Sequence, residues 1–490
     1  MTLAPGRDNS PRLAARQNKR QAMRMKFPAS VFKAFVFAGG VAATALMPLQ
    51  AAADNLSDAM IGAYKTSGLL EQNRALLRAA DEDVAIALSR LRPLVQWTVS
   101  AANSYNEVNF NQTRNTLSTQ LELTQLLFDG GASRLDRLAA QEIVLATRQA
   151  LLSVEQTVLF QAVQAYVGVL QAQENVALRR NNLRLLQEEL KAAQDRFEVG
   201  EVTRTDVALA ESRVAAARAN LTDAEGTLLT AKATYQQVVG QAPGGIAGQP
   251  ALPRQRVSLD GAQVVALRNQ PDLLSQQHVV KAREYQVASA TAGLGPSVNL
   301  RANAGVSEDV QDGLGASNSS SIGITMTQDL YAGGRNAAVR RRAIANADAE
   351  RGVLINTQRA VRQAVSEAYF NVETARASLV SSGERVRASK VAFDGIREEA
   401  TLGARTTLDV LQAEQEYLDA QTEQVNARAN QAIAAYQLLQ AQGLLTAEHL
   451  GLAVEIYDPT LYYNLVKDAP AHRSKRGKDL DRVLKALGRN

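Results

Sequence analysis

The sequence predicts a mainly α-helical protein with a membrane β part, built from one unit that occurs twice. Three observations predict this class. The chain matches itself at a constant offset of 203 residues, so that Leu91 corresponds to Leu294 and Gly200 to Gly403. Each copy contains a long stretch without proline and two segments in which apolar residues alternate with polar ones. A constant offset through both kinds of segment indicates an internal duplication.

The composition of the 490 residues argues against an enzyme. There is no cysteine, which excludes disulfides, thiolate nucleophiles and cysteine metal sites. The three histidines, His278, His449 and His472, are far apart and have no metal-ligand spacing. We therefore expect no catalytic centre, no metal and no cofactor.

The positive net charge of +5 does not indicate nucleic-acid binding, because the basic residues lie at the two ends of the chain. Residues 1–53 hold eight basic residues and one acid. The tail 467–490 holds eight basic residues and three acids. The long middle of the chain is net acidic, so a nucleic-acid partner is not expected.

Residues 1–53 have the features of a signal peptide. Basic residues precede an apolar stretch from Phe35 to Leu46, and three alanines end at Ala53. The alternative is a membrane anchor over 34–53, although its glycines, proline and glutamine make a weak spanning helix. The leader before the apolar stretch is long, so translation starts at Met1, Met23 or Met25.

The duplication predicts the domain organisation. Residues 54–240 form the first repeat, 241–258 a linker rich in glycine and proline, 259–445 the second repeat, and 446–490 a C-terminal extension with a basic tail. Each repeat contains a helix, a β-hairpin and a long helical hairpin. The β-hairpins span 93–128 and 296–331, and the helical hairpins span 132–239 and 336–444. The polar composition of the tail predicts partial disorder.

The alternating segments have the length of strands that cross a membrane at a tilt, which is about 9–11 residues. After Pro296, even-numbered positions are apolar and odd-numbered positions are polar or small, and we expect the partner strand to run to Tyr331. Trp97, Tyr105 and Tyr331 are candidates for an aromatic girdle at the membrane surface. A lumen or subunit contact is the alternative for Trp97.

The proline-free stretches predict helices of about 65 residues, which reach on the order of 100 Å and imply a coiled-coil-like assembly. Gly200 and Gly403 lie in the turns between each long helix and its return helix. Glycine at this point fits a left-handed helix end, and the threonines that follow fit helix N-caps. Turn geometry alone explains both glycines.

Four strands cannot close a membrane barrel, because the smallest barrels have about eight. Unpaired strand edges in lipid are forbidden by their unsatisfied backbone groups. Other copies of the chain must therefore complete the sheet. Two copies give eight strands and three give twelve, and only the larger number leaves a wide lumen.

Three segments, taken together with their order along the chain and with the duplication, resemble the TolC-like outer-membrane efflux and secretion channels. They are Leu121–Asp129, Met326–Tyr331 and Gly403–Leu411, and the similarity covers nearly all of 54–450. The resemblance implies a homotrimer in the outer membrane of a Gram-negative bacterium, with a 12-stranded barrel in the lipid and an α-helical tunnel in the periplasm. It also implies a periplasmic adaptor and an inner-membrane transporter, either an RND pump or an ABC exporter.

The resemblance further implies that polar links between coils close the channel at its periplasmic tip. Arg405 and Asp409 match the family's basic and acidic positions, and Thr205 and Asp206 match their counterparts in the first hairpin. Exposed ion pairs are individually weak, so they can hold a closed tip and release it when a partner binds. The turns at Gly200 and Gly403 would contact the adaptor.

This chain departs from the family pattern at two positions. Ala400 stands where the best-known members have an aromatic link, and Gln412 stands where a second acidic residue often lies. Three copies of Asp409 around one axis would still form a constriction that attracts cations. The alternative for Arg405 and Asp409 is an ordinary solvated helix start with a favourable acid.

Two functions are compatible with the sequence. The first is a passive trimeric export duct, opened at its tip by the adaptor and transporter. The second is a non-catalytic coiled-coil scaffold of the cell envelope, which leaves the two equivalent strand pairs and the export signal unexplained. The cargo stays open between small toxic compounds and unfolded protein.

Overall fold

The computed structural model describes residues 55–106, 112–253, 258–309 and 315–486. The expected signal peptide lies outside these residues. The described part contains ten helices and one four-stranded sheet. None of the helices in this part is both long and apolar enough to cross a membrane.

The expected fold class is confirmed, and each repeat has the same order of elements. The first repeat comprises α1 (Leu56–Thr66), α2 (Gly68–Ser89), β1 (Leu94–Asn106), β2 (Gln112–Phe128), α3 (Ala132–Glu198) and α4 (Arg204–Val239). The second comprises α5 (Leu259–Asn269), α6 (Pro271–Ala292), β3 (Ser297–Asp309), β4 (Ala316–Thr327), α7 (Arg335–Thr401) and α8 (Thr407–Ala441). The C-terminal extension contains α9 (Pro459–Val466) and α10 (Lys475–Ala486).

Two short helices, where one was expected, precede each β-hairpin. The breaks fall at Ser67 and Gln270, which correspond at the repeat offset and both have extended backbones. Ser67 caps α2 through its side chain, which accepts from the Leu70 amide. Gln270 precedes Pro271, and a residue before proline is disfavoured in the helical conformation. The two repeats therefore make the same break by different local chemistry.

The four strands form one antiparallel sheet in the order β1-β2-β3-β4. One face carries an apolar row across all four strands, made by Val95, Leu123, Ala302 and Ile322. The adjacent row on the other face is polar and consists of Gln96, Glu122, Asn303 and Ser321. The outer edges of β1 and β4 have no strand partner in the described chain. The sheet is thus two-faced and open at both ends.

The expected extension of the last strand to Tyr331 is wrong. β4 ends at Thr327, and Tyr331 lies beyond it with its side chain almost fully exposed. Asp329 in this connection accepts hydrogen bonds from Arg335 and Asn336 at the start of α7. These bonds tie the segment to the helix start instead of to the sheet.

The main core lies where the short helices pack against the long ones. Tyr166 of α3 and Tyr235 of α4 are among its largest fully buried side chains. Tyr166 donates a hydrogen bond to the Gly248 carbonyl in the segment between the repeats. Tyr436 of α8 bonds the Ala251 carbonyl in the same way. These two bonds hold the connecting segment against both helical hairpins.

The described part of the basic tail contains a helix that its polar composition did not predict. α10 covers 475–486, and Arg476 at its start forms a 3.0 Å ion pair with Asp468. The Asp468 and Ala469 carbonyls in turn accept hydrogen bonds from Arg92, just before β1. The tail is therefore anchored to the region between α2 and the sheet.

Candidate gate at the helical tip

Each long helical hairpin ends in a turn built around one glycine. α3 and α7 are both 67 residues long, which is about 100 Å of helix. Gly200 and Gly403 follow them with φ of 80° and 78°, in the left-handed region that glycine adopts without steric strain. The two turns form the far ends of the two hairpins and place the candidate gate residues at the start of α4 and α8.

The two return helices start with the same capping arrangement. Thr203 and Thr406 are the N-caps, and each hydroxyl donates to the carboxylate three residues later, Asp206 at 2.7 Å and Asp409 at 2.8 Å. Each carboxylate also accepts the threonine backbone N–H at 3.0 Å. These bonds lower the pKa of both carboxyls, chiefly through the Thr203 side chain at Asp206 and the Thr406 backbone at Asp409.

Arg405 forms an ion pair within its own hairpin. Its Nε donates to Glu399 Oε2 at 2.8 Å, and both side chains are about half exposed. The Glu399 carboxylate raises the pKa of Arg405, and Asp409 adds a smaller contribution. The structure thus brings Arg405, Asp409 and Glu399 together at one turn. Glu399 was not among the residues expected from the sequence.

The other expected gate residues are more isolated. The side chains of Thr205 and Gln412 are exposed, and neither has a hydrogen-bond partner in the described chain. Ala400 is buried in a cluster with Phe393 and Val410. The small methyl group of Ala400 is enclosed by these neighbours, so no side chain projects from the coil at this position.

Two polar contacts join the two hairpins near the tip, and sequence reasoning missed both. Arg397 of α7 forms a 3.0 Å ion pair with Glu189 of α3. Asn182 of α3 donates a hydrogen bond to Glu414 of α8, and both side chains are buried. Burial raises the pKa of Glu414 to about 7, against the opposing effect of the Asn182 bond. The one signal in the sequence is that Glu414 corresponds to Glu211 in the first repeat.

The candidate membrane aromatics are not part of this tip. Trp97 and Tyr105 lie on β1 and are mostly exposed. The Trp97 Nε1 donates to Thr119 Oγ1 on β2 at 2.8 Å.

The described residues contain no group of three acidic, histidine or cysteine side chains that could hold a metal ion. The site therefore consists of ion pairs and helix caps, which can hold or release helix ends.

Replacing Gly403 with Ala is expected to loosen the tip. An added Cβ at Gly403 meets no atom within 4 Å, so the cost comes from its left-handed backbone and is about 1–2 kcal/mol. The matched control is Gly395→Ala inside α7, where a Cβ also meets nothing within 4 Å. Because alanine favours a helix, this control should stabilise the hairpin by about 0.5–1 kcal/mol.

Amide hydrogen exchange at the start of α8 measures the difference. Faster exchange in Gly403→Ala and unchanged or slower exchange in Gly395→Ala are expected. Equal exchange in the two variants would show that the left-handed turn does not hold the tip.

Comparison with known proteins agrees with the duplicated architecture. Residues 63–241 and 264–444 each match the outer membrane efflux protein family. The chain is 37% identical to the outer membrane efflux protein BepC of Brucella suis over 426 residues, covering 87% of this chain and 93% of BepC. It is 27% identical to the alkaline protease secretion protein AprF of Pseudomonas aeruginosa over 262 residues, covering 52% of this chain and 54% of AprF.

Solved structures show the same fold. The CmeC outer membrane channel of Campylobacter jejuni superposes with a TM-score of 0.70 at 19% identity, covering 80% of this chain and 86% of CmeC. The family match spans both repeats, and the match to BepC runs through nearly its whole length. The resemblance drawn from the three sequence segments is thereby confirmed. The protein lies in the outer membrane, extends into the periplasm, and belongs to the outer membrane efflux protein family.

Proposed function

We propose that three copies of the chain form the outer-membrane exit duct of a tripartite efflux pump or a type I secretion system. The two-faced, open-edged sheet carries this proposal. Its apolar row, which contains Val95 and Ile322, suits lipid, and its polar row, which contains Glu122 and Asn303, suits a water-filled lumen. Because unpaired strand edges are not tolerated in lipid, each edge must meet the sheet of another copy.

Three copies rather than two fit a duct. Twelve strands leave a lumen, whereas eight are filled by their own side chains. The helical hairpins would continue the cylinder into the periplasm, because each strand pair leads directly into a helix of about 100 Å. A homotrimer of this kind needs no catalytic residue and no cofactor.

In this proposal the duct is closed at the helical tip and opened by its partners. Arg405 lies in the turn between α7 and α8, and Asp409 and Gln412 lie in the first turns of α8. Thr205 and Asp206 lie at the equivalent start of α4. Their bonds are solvent-exposed and therefore weak enough to exchange for contacts with another protein. The turns at Gly200 and Gly403 would contact a periplasmic adaptor, which links the duct to an inner-membrane RND pump or ABC exporter.

The names of the relatives indicate two classes of cargo, compounds removed by efflux and secreted proteins. BepC is named for efflux and AprF for the secretion of a protease. The test compares the source bacterium with a strain that lacks this chain. Retention of a hydrophobic dye in the deleted strain indicates efflux, and loss of proteins from the medium indicates secretion. In either case, expression of the full chain in the deleted strain should restore the export seen in the parent.

A deleted strain that exports both dye and proteins as the parent does would contradict the proposal. So would recovery of the chain in a fraction other than the outer membrane. The alternative of a coiled-coil scaffold has no specific support, since the chain belongs to a family of outer membrane efflux proteins.

A further inference from the structure

The C-terminal extension runs along the first repeat toward the sheet. Near its start, the Ala447 N–H donates a 2.7 Å hydrogen bond to Glu155 of α3. Farther on, the Tyr463 hydroxyl in α9 accepts a 3.1 Å hydrogen bond from Gln141 of α3. Because α3 begins at Ala132, close to the sheet, Glu155 lies about 35 Å and Gln141 about 14 Å along the helix from that end. The extension therefore approaches the membrane part of the protein as it proceeds.

The extension reaches the base of the sheet at its contact with Arg92. The guanidinium of Arg92 donates to the carbonyls of Asp468 and Ala469, the latter at 2.7 Å. β1 begins only two residues after Arg92, and Val95 on its apolar face is 57% exposed. The segment that follows Ala469 thus starts at the level where the sheet meets the lipid.

That segment contains α10, a helix with one basic and one apolar face. The basic side chains recur at intervals of three or four residues and are all exposed: Lys475, Lys478, Arg482 and Lys485. The opposite side of the helix carries Leu480, Val483 and Leu484. A helix with this pattern is typical of segments that lie in the surface of a membrane.

The charge of the segment favours an anionic surface. Residues 473–485 hold six basic residues and two acids. Both acids already have basic neighbours, since Asp479 pairs with Arg482 at 3.1 Å and Asp481 lies 3.4 Å from His472. The lysines of α10 form no ion pair within the described chain. Their charges are therefore available to a partner outside the chain.

The two helices of the extension also leave apolar side chains uncovered. Leu461 and Leu465, one turn apart on α9, are 66% and 40% exposed, and Val483 of α10 is 40% exposed. These three side chains belong to none of the apolar clusters of the described chain. Among the described helices and strands, α10 packs appreciably only against α9.

We propose that α10 lies in the periplasmic surface of the outer membrane, with its apolar face on the acyl chains and its lysines on the phosphates of anionic phospholipids. The long lysine side chains reach the headgroups while the helix lies in the plane of the surface. With 12 residues, α10 spans about 18 Å, which is too short to cross the lipid. The proposal rests on the outer-membrane location and depends on neither the number of copies nor the cargo.

Such a contact would fix the height of the sheet in the membrane. The Arg92 bonds join the extension to the residues just before β1, and Arg476 at the start of α10 pairs with Asp468 at 3.0 Å. A helix held at the headgroups is thereby connected through two short contacts to the first strand. We expect α10 to act as an interfacial anchor for the base of the sheet.

Fluorescent labelling of the full chain tests the proposal, because the natural sequence has no cysteine. Val483→Cys carries a polarity-sensitive fluorophore, and the protein is reconstituted into phosphatidylcholine vesicles with or without phosphatidylglycerol. Quenchers attached to the acyl chains then report contact with lipid. Val99→Cys, on the apolar face of β1, is the positive control. Leu402→Cys, exposed at the helical tip, is the negative control.

Quenching of the Val483→Cys label is expected, and it should be stronger in the presence of phosphatidylglycerol. A label at this position that is not quenched by lipid, while the Val99→Cys label is quenched, would overturn the proposal and leave the membrane sheet intact. The same result with the Val483→Cys label shielded from water would indicate that a protein surface covers α10. Absence of quenching at both positions would also contradict the assignment of the apolar face to lipid.

Neutralising the basic face tests the role of charge. In vesicles that contain phosphatidylglycerol, Lys478→Gln with Lys485→Gln should lower the ratio of lipid-bound to detached helix by about fivefold for each lysine replaced. In phosphatidylcholine alone the change should be small. The matched control is Lys191→Gln with Arg387→Gln, which removes two exposed charges from the coils and should leave the ratio unchanged.

Two results would overturn the role of anionic lipid. The first is equal quenching in both kinds of vesicle, with no effect of the Lys478 and Lys485 changes. The second is sedimentation of the purified protein with peptidoglycan that depends on these two lysines, without quenching of the Val483→Cys label by lipid. That second result would assign the basic face to the cell-wall polymer.

Discussion

Replacing Asp81 with Asn is expected to raise the thermal stability of the protein at pH 8 and to change it little at pH 4.5. The Asp81 side chain is fully buried in α2, and neither carboxylate oxygen has a hydrogen-bond partner in the described chain. Burial raises its pKa from 3.8 to about 7, although the charge of Arg148 opposes the shift.

The direction of the pH effect on stability follows from the difference in proton binding between the folded and unfolded states. The folded state holds the Asp81 proton more tightly than the unfolded state, so the contribution of this carboxyl to stability is fully present below pH 4 and is lost as the pH rises through about 7. At about 1.36 kcal/mol per pKa unit, the loss is on the order of 4 kcal/mol. Asparagine cannot ionise and removes this loss.

Thermal unfolding followed by circular dichroism at both pH values measures the effect. The control is Asp83→Asn, two residues away on the same helix with an exposed side chain, and we expect it to shift the midpoint little at either pH. An Asp81→Asn variant that is less stable than the natural protein at pH 8 would show that the carboxylate is satisfied in the assembly.

Replacing Arg405 with Ala is expected to increase the fraction of time that the channel is open by about threefold or more, since the proposed gate would lose the same basic side chain in all three copies. The change removes the ion pair with Glu399 and leaves the Thr406 cap intact. The control is Lys390→Ala, which removes an equally exposed pair with Asp394 farther from the tip. Single-channel recording of both variants gives the comparison.

The same recordings test the charge of Asp409. Asp409→Asn keeps a side-chain oxygen that can accept from the Thr406 backbone but removes the negative charge. Cation selectivity should fall, with the reversal potential in a salt gradient moving toward zero. If neither the cation selectivity nor the open fraction changes in the Arg405 and Asp409 variants, the gate lies elsewhere in the duct.

Much of the fold follows from local sequence features. The offset of 203 residues predicts two equivalent units, and the absence of proline over 132–198 predicts the whole of α3. The capping roles of Thr203 and Thr406 follow from their position just after a glycine turn. The helix and its caps depend on neighbouring residues, and the duplication is found by comparing the chain with itself, so a single sequence is sufficient for all of them.

The contacts between the hairpins could not be found in this way. Glu189 and Arg397, and likewise Asn182 and Glu414, lie more than 200 positions apart and belong to no motif. Their pairing depends on how α3 packs against α7 and α8, which hydrophobic periodicity does not specify. The break before Pro271 is different, since the proline was a local signal for it.

Conductance of the purified natural protein in a planar lipid bilayer tests the central claim most directly. A trimeric duct with a weakly held tip predicts long-lived pores that prefer cations and are closed for part of the time. Folded trimers that insert into the bilayer and conduct no ions, even in the Arg405→Ala variant, would contradict the claim that this protein is an export channel.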